Sequence, residues 1–534
     1  MRIIFQCLAL LIVGIVAVPI FGTFVETCYV FLQSLQQDSS LALEIQSNLK
    51  HFFTFLFGRF LADSFIVVFC VLLLSALIGT TCAYLVAHYR FFGSKILDKI
   101  LFLPLAIPSY ILAFAYVGLL DFSGIFYEIL GLRVDIFNLG GVIFVLTFSL
   151  FPYVYLFAKD AFQTESTTLY EVAQTMKCSQ WQIFYKVSLP LAKPAILSGL
   201  LLVLMETLSD YGASAYLGVD TFSAGIFKLW YDLSDPYSAS ILTAILMLFV
   251  LGLMQVEQKL KNRQKYSSNQ NCKLLINPKP LPPIPSLLAS CFCSLIATLG
   301  FFLPLFWLLY WGLQDSKLFE KDFYLLALNS LHVGILSACF ALICALFLCF
   351  VIRITRQTFL RNLLTQTSTL GYAIPGAVVG VSMMILATAI SNLTNIPLLG
   401  TSISLLVFAY IVRFLATAIY SIQNGYDKIH ACLDEASLSL RSGYIRLWFK
   451  IHLPLLKHFI LSALLVVFID TIKELPTTRM LAPFGFETLS TKAFWYATDE
   501  RLYNSALPSL LIVLLSLLSM LIINLWIRKD DARD

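Results

Sequence analysis

Apolar residues along this chain come in blocks much longer than a soluble helix or strand requires. Twelve such blocks lie at approximately 3–31, 60–88, 101–120, 138–158, 193–212, 238–255, 287–312, 328–352, 366–390, 397–420, 456–475 and 505–527. A helix needs about 20 mostly apolar residues to cross the hydrocarbon layer. A membrane β-strand would instead show alternation over about ten residues. The pattern therefore predicts an all-α integral membrane protein with twelve spanning helices. The first block follows Met1-Arg2 and runs from Ile3 to about Phe31. It is too long for the apolar core of a secretion signal and no small-x-small site closes it, so it reads as a retained first span.

The polar intervals give an orientation. Arg90, Lys95 and Lys99 follow the second block, Lys259, Lys261, Arg263, Lys265, Lys273 and Lys279 follow the sixth, and Arg353, Arg356 and Arg361 follow the eighth. Basic loops stay on the cytoplasmic side. The intervening loops are acidic or mixed, with Asp121, Glu128 and Asp135 after the third block and Asp220, Asp232 and Asp235 after the fifth. The alternation puts both termini in the cytoplasm. The interval 259–285 is polar and basic, then carries Pro278, Pro280, Pro282, Pro283 and Pro285. That composition predicts an extended cytoplasmic linker at mid-chain.

Composition agrees with a bilayer as solvent. Of 534 residues 59% are hydrophobic and 13% charged, where a soluble domain is about 25% charged. The 45 phenylalanines suit lipid-facing helices, and a net charge of +5 scattered over the loops offers no nucleic-acid footprint. The 12 cysteines include no CxxC pair and sit mostly in apolar runs, as Cys339, Cys344 and Cys349 do; they read as small buried hydrophobes. The six histidines form no cluster, and no metal site is assigned.

The linker separates two copies of one pattern. Glu171-Val172-Ala173 precedes Phe184-Tyr185-Lys186-Val187-Ser188-Leu189-Pro190-Leu191. Glu435-Ala436-Ser437 precedes Trp448-Phe449-Lys450-Ile451-His452-Leu453-Pro454-Leu455. From Glu to Pro is 19 residues in each (190−171, 454−435), and the copies lie 264 apart (435−171). Lys193 and Lys457, Glu206 and Asp470, Thr207 and Thr471, and Asp210 and Glu474 keep that register. Leu105-Ala106-Ile107-Pro108 resembles Tyr372-Ala373-Ile374-Pro375 at an offset of 267 (372−105). This divides the chain into a first six-span half, 1–258, with its loop at about 165–192, the linker 259–285, and a second half, 286–534, with its loop at about 428–456. The halves share an orientation, which makes the repeat parallel. In each loop the Glu is expected near the start of a short cytoplasmic helix. Leu-Pro is expected to end that helix and start the next span. Read from the residues alone, the helix is either a docking element or an interfacial helix held by lipid headgroups.

The doubled loop resembles the coupling-loop signature of binding-protein-dependent ATP-binding-cassette (ABC) permeases: Glu-Ala-Ala, a glycine, then Ile/Val-x-Leu-Pro. The resemblance implies the type I importer permease fold and a coupling helix that docks on a cytoplasmic ATPase. Glu171, Ala173, Lys177, Leu189, Pro190, Glu435, Ala436, Arg441, Leu453 and Pro454 would form the two coupling sites. The family's glycine falls at Lys177 and Arg441, so the turn must be built differently, with Gly443 a candidate in the second copy. Leu103-Pro104-Leu105-Ala106-Ile107-Pro108-Ser109-Tyr110, Ser209-Asp210-Tyr211-Gly212-Ala213, Lys473-Glu474-Leu475-Pro476-Thr477-Thr478 and Pro483-Phe484-Gly485-Phe486-Glu487-Thr488-Leu489 are similar to segments of ferric-iron permeases. Fused permeases of this length also include thiamine transporters.

No GxxxxGK[ST] run occurs, so ATP with its Mg is expected on partner subunits and no cofactor on this chain. The resemblance implies two ATPase copies, a periplasmic or lipid-anchored substrate-binding protein, and a place in a bacterial inner membrane among its lipids. Glu206 with Asp210, and Asp470 with Glu474, stand four residues apart on one helix face each. Carboxylates within a membrane default to functional candidates, and their oxygens suit a hard cation, so these four are the candidate translocation path. The alternative is that they are partly wet and pair with Lys473 or Arg479. Arg413 reads as a satisfied structural charge near the cytoplasmic side. A twelve-span secondary transporter would also have two parallel six-helix halves, but it would lack the doubled loop.

Overall fold

The computed structural model describes residues 2–34, 40–121, 127, 131, 134–164, 175–176, 178–267, 278–314, 321–394, 402–440 and 442–531. Ten helices among them are long and apolar enough to cross a membrane: Arg2–Ser34, Ala42–His88, Leu139–Gln163, Gln180–Ser209, Pro236–Val256, Pro283–Gln314, Phe323–Ile354, Gly376–Thr394, Ile403–Lys428 and Leu502–Trp526. Two more qualify as bent pairs, Ser94–Ala106 with Ser109–Leu120 at 97° and Tyr444–Leu455 with Lys457–Lys473 at 75°. Taken in chain order these are spans 1 to 12, and each falls on one of the twelve apolar blocks. Among the described residues the regular β-structure is one parallel pairing of Tyr89–Arg90 with Lys279–Pro280. It ties the last part of the linker to the end of span 2.

The departures from the expected spans trace to proline. Ile107 and Ile374 both take an extended conformation, with ψ of 117° and 123°, because a following proline disfavours the helical one. Span 3 is therefore broken between Ala106 and Ser109. The expected block 366–390 is divided into Thr358–Ser368, Leu370–Ala373 and the span proper from Gly376. The Leu-Pro pairs behave differently from expectation. In the first copy the helix runs unbroken through Leu189-Pro190, from Gln180 to Ser209. In the second it bends at Leu456, two residues past Pro454. In both copies a π-helical turn directly precedes the Leu-Pro pair, Phe184–Ser188 and Trp448–His452. Its i→i+5 bonding shifts the carbonyls that would otherwise meet the proline ring.

The spans are arranged so that the first span of each sequence half lies on the other half. Span 1 packs against spans 6, 8 and 9. Gln6 Nε2 donates to Thr355 Oγ1 at 3.2 Å, and Phe5 sets its edge on Phe347 and Phe350. Span 7 packs against spans 3 and 12. There Gly118 lets Trp311 approach span 3 closely, where a Cβ would overlap the indole, and Tyr116 Oη donates to Leu299 O at 2.6 Å. Phe53, Phe55, Phe65 and Phe69 of span 2 point outward and exposed, as lipid-facing side chains should. Many hydroxyls inside spans are satisfied locally, as in Thr243 Oγ1 to Ala239 O and Ser382 Oγ to Val378 O, both 2.7 Å. Such bonds to the preceding turn spare a polar group from facing hydrocarbon unpaired.

Candidate functional site

Spans 5 and 11 end alike. Asp210 and Glu474 each leave the helix with φ −67° and ψ 120°. Tyr211 and Leu475 then return to helical geometry, and short helices begin at Gly212–Tyr216 and Pro476–Leu481. The two carboxylates satisfy N–H groups that these breaks leave without helical acceptors. Asp210 Oδ2 accepts from Ser214 N and Oγ, each at 3.0 Å. Glu474 Oε1 accepts from Thr477 N at 3.1 Å and Oγ1 at 2.6 Å. One turn earlier Thr207 and Thr471 bond the carbonyls of Val203 and Val467 in the same way. The repeat read from sequence is thus present in the backbone and in the threonine bonds at this level, although Asp210 bonds the fourth residue after it and Glu474 the third.

It is broken where the two halves contribute different partners. Ser109 Oγ donates to Asp210 Oδ1 at 2.5 Å. Gly376, which follows the equivalent proline, has no side chain, and the Arg413 guanidinium occupies that space. Arg413 Nη1 donates to Glu474 Oε1 at 2.6 Å, and its Nη2 donates to Ser209 Oγ at 3.3 Å in the first half. Arg413 is therefore a satisfied charge as expected, but it stands at the acid-bearing span ends. Glu474 pairs with it and not with Lys473 or Arg479. Arg479 Nη1 instead donates to Tyr211 Oη at 2.5 Å. A Cβ at Gly376 would overlap both Arg413 Nη1 and Glu474 Oε1. Gly376→Ser is expected to expel the guanidinium and cost about 1–3 kcal/mol by overpacking. A lowered unfolding temperature of the purified protein in detergent checks this; an unchanged one refutes it.

Glu206, Asp210, Asp470 and Glu474 all line one cavity of about 390 Å³. Its walls come from spans 4, 5, 10 and 11, with the break of span 3 and the starts of the two short helices closing one end. Arg413 and Lys473 are its two cationic lining residues, so four carboxylates face two cations, a formal excess of two negative charges. Lys473 Nζ donates to Leu105 O at 2.8 Å. Glu206 and Asp470, equivalent in the repeat, are close enough to act on one another and on Lys473. Among the described residues no group of three or more His, Cys, Asp and Glu side chains could hold a metal ion. What the arrangement offers is a polar chamber between the two repeated units.

Of the two signature loops, Glu171, Ala173, Lys177 and Arg441 lie outside the described residues. Glu435 and Ala436 are exposed on the helix Ala431–Ser439. The acid in the first turn is Asp434, with Glu435 just beyond it. Gly443 has φ −71° and caps the next helix in an extended conformation, so it supplies no left-handed turn. Sequence reading passed over what holds this helix. Asp434 Oδ2 accepts from Arg353 Nε at 2.7 Å, and its Oδ1 bonds His452 Nε2 at 2.9 Å. Arg353 also donates from Nη1 to Tyr426 O at 2.8 Å and from Nη2 to Ile429 O at 2.9 Å. It thereby caps the last carbonyls of span 10, where a cation is favoured. Span 8 and the π turn before Pro454 meet the short helix through one carboxylate, and Arg353 joins the end of span 10 to it. Asp434, next to the motif Glu, was the available signal.

Residues 75–257 match the family described as binding-protein-dependent transport system inner membrane component. The Fe(3+)-transport system permease protein FbpB 2 of Haemophilus influenzae is 26% identical over 465 residues, covering 86% of this chain and 88% of that protein. A second Haemophilus influenzae protein, the putative ferric transport system permease protein FbpB 1, is 23% identical over 494 residues, 84% of this chain and 73% of that protein. The sulfate transport system permease protein CysT of Escherichia coli is 25% identical over 197 residues, 35% of this chain and 71% of that one. With its multi-pass helical architecture and its doubled loop, the chain is similar over most of its length to permeases of binding-protein-dependent transport systems, and residues 75–257 carry the match to their inner-membrane component.

Proposed function

We propose that this permease carries ferric iron, delivered by a periplasmic binding protein, across a bacterial inner membrane by alternating access. The observation that carries the reading is the cavity between the repeated units, into which both acid-ended spans deliver their carboxylates. Oxygen donors suit a hard cation, and the excess of carboxylate favours a cation over an oxyanion of the kind a sulfate permease carries. The relatives that share most of the chain's length bear ferric-transport names. The binding protein selects the cargo, and the cavity passes it on without a dedicated metal cage.

The energy comes from two copies of a cytoplasmic ATPase, one at each coupling loop, which bind ATP and Mg; this chain holds neither. Both termini and the linker face the cytoplasm, as the basic loops require. The division into a half at 1–258 and a half at 286–534 gives two bodies that rock about the cavity, and Glu206, Asp210, Asp470 and Glu474 line the way through. Affinity purification from membranes, followed by reconstitution in liposomes, tests the whole reading. An ATPase and a ferric-binding protein are expected to co-purify, and ATP inside the vesicles is expected to be required for uptake of radioactive iron. Uptake driven by an ion gradient without ATP, or transport of sulfate or thiamine in place of iron, would overturn it.

A further inference from the structure

We propose that Lys473 is a tethered counter-cation: it latches the two halves across the cavity and yields its place to a cationic cargo. The proposal rests on the importer reading above. Lys473 is the last residue of span 11, and its ammonium crosses to the first half to reach Leu105 O at 2.8 Å, in the last turn before the break at Ile107-Pro108. Tyr110 Oη, from the far side of that break, donates back to Lys473 O at 3.4 Å. Asp470, one turn earlier on its own helix, and Glu206, the repeat counterpart of Asp470, line the same cavity as this ammonium and act on it electrostatically.

The repeat shows that this arrangement is one-sided. The residue in register with Lys473 is Ser209 (473−264), and Ser209 accepts from Arg413 Nη2. Lys473 and Arg413 thus each reach from the second half to a neutral acceptor of the first. The two cations differ in freedom. Arg413 is fixed through Nη1 by Glu474 at 2.6 Å. Lys473 is a point charge on a flexible four-carbon stem, and its bonded acceptor is a neutral carbonyl. A multivalent cation arriving between Glu206 and Asp470 replaces the ammonium as their counter-charge and repels it. The bond to Leu105 is then lost, and with it a strut between the halves. Occupancy of the cavity and separation of the halves become one event.

The test uses the complete permease with its ATPase subunits in liposomes, measuring ATP hydrolysis with no binding protein present. Lys473→Met is expected to raise this basal rate about tenfold, the scale of a typical coupling between sites. Lys473→Arg keeps the charge and the donor and is expected to hold the rate low. Addition of iron-loaded binding protein should stimulate the unchanged permease strongly and the Lys473→Met variant little further. The double variant Asp470→Asn with Lys473→Met removes both charges together, which preserves assembly if the single variant folds badly, and it too should hydrolyse at the high rate. A basal rate at the unchanged level in the assembled double variant overturns the latch, as does a high rate with Lys473→Arg. Failure of the ferric reading would show separately, as absence of iron uptake by the unchanged permease, because the basal rate is read without cargo.

Discussion

Replacing Arg413 by leucine is expected to destabilise the permease by about 3–5 kcal/mol, the cost of leaving a buried carboxylate without its cation. Glu474 is 6% exposed and its partner 13%, so neither has much water to fall back on. Leucine keeps a packing stem near Phe414 but removes the guanidinium's donations to Glu474 Oε1, Thr477 and Ser209, leaving Glu474 only the neutral donors of Thr477. A swap of the pair for apolar residues is far less costly than breaking it. The double variant Arg413→Leu with Glu474→Leu should therefore unfold at a higher temperature than Arg413→Leu alone. Thermal unfolding in detergent, followed by tryptophan fluorescence, measures both. Additive losses in the double variant would mean that the pair is not a coupled unit.

The second large effect is expected at the coupling loops. Glu435 is exposed on its short helix, so Glu435→Ala should leave folding nearly unchanged, as most exposed substitutions do. Docking should suffer instead: loss of one central charged contact weakens association by about thirtyfold. With Glu171→Ala added, ATPase should no longer co-purify and uptake should stop, while the protein stays monodisperse in the membrane extract. Retention of the ATPase by that double variant would remove the coupling assignment. Asp434→Asn provides a contrast. It loosens the helix from Arg353 and His452 without touching the exposed face, so transport per ATP hydrolysed should fall while co-purification persists.

Much of this architecture was legible because the bilayer imposes a simple code. Blocks of apolar residues mark spans, and a fixed offset of 264 marks the repeat. The acids Glu206, Asp210, Asp470 and Glu474 stood out because carboxylates are rare in such blocks, and all four line the same cavity. Their bonding was not legible. Asp210 and Glu474 hold the turns that follow spans 5 and 11, and the partners that complete them, Ser109 and Arg413, come from other spans. Nothing local in the sequence pairs Arg413 with Glu474; the space that admits the guanidinium exists because position 376 is glycine. The Leu-Pro pairs misled for a related reason. Proline signals a helix start, but a π turn one step earlier lets the helix continue, and no residue pattern announces that turn. Asp434, Arg353 and His452 were likewise separate features of three loops until the fold joined them.

The crossing of span 7 onto the first half has a consequence for how the protein is made. Tyr116 leaves the ribosome long before Leu299, the acceptor 183 residues later that its hydroxyl bonds. Gly118 likewise waits for Trp311 to cover it. Until the second half is inserted, Leu299 and Trp311 are not there to pair the hydroxyl and cover the glycine, and a polar group left unpaired in lipid is costly. The two repeats are therefore not independent folding units in the order of synthesis. The first is a template completed by the second, and the linker, pinned at Tyr89–Arg90 through Lys279–Pro280, delivers span 7 beside the helices it must cover.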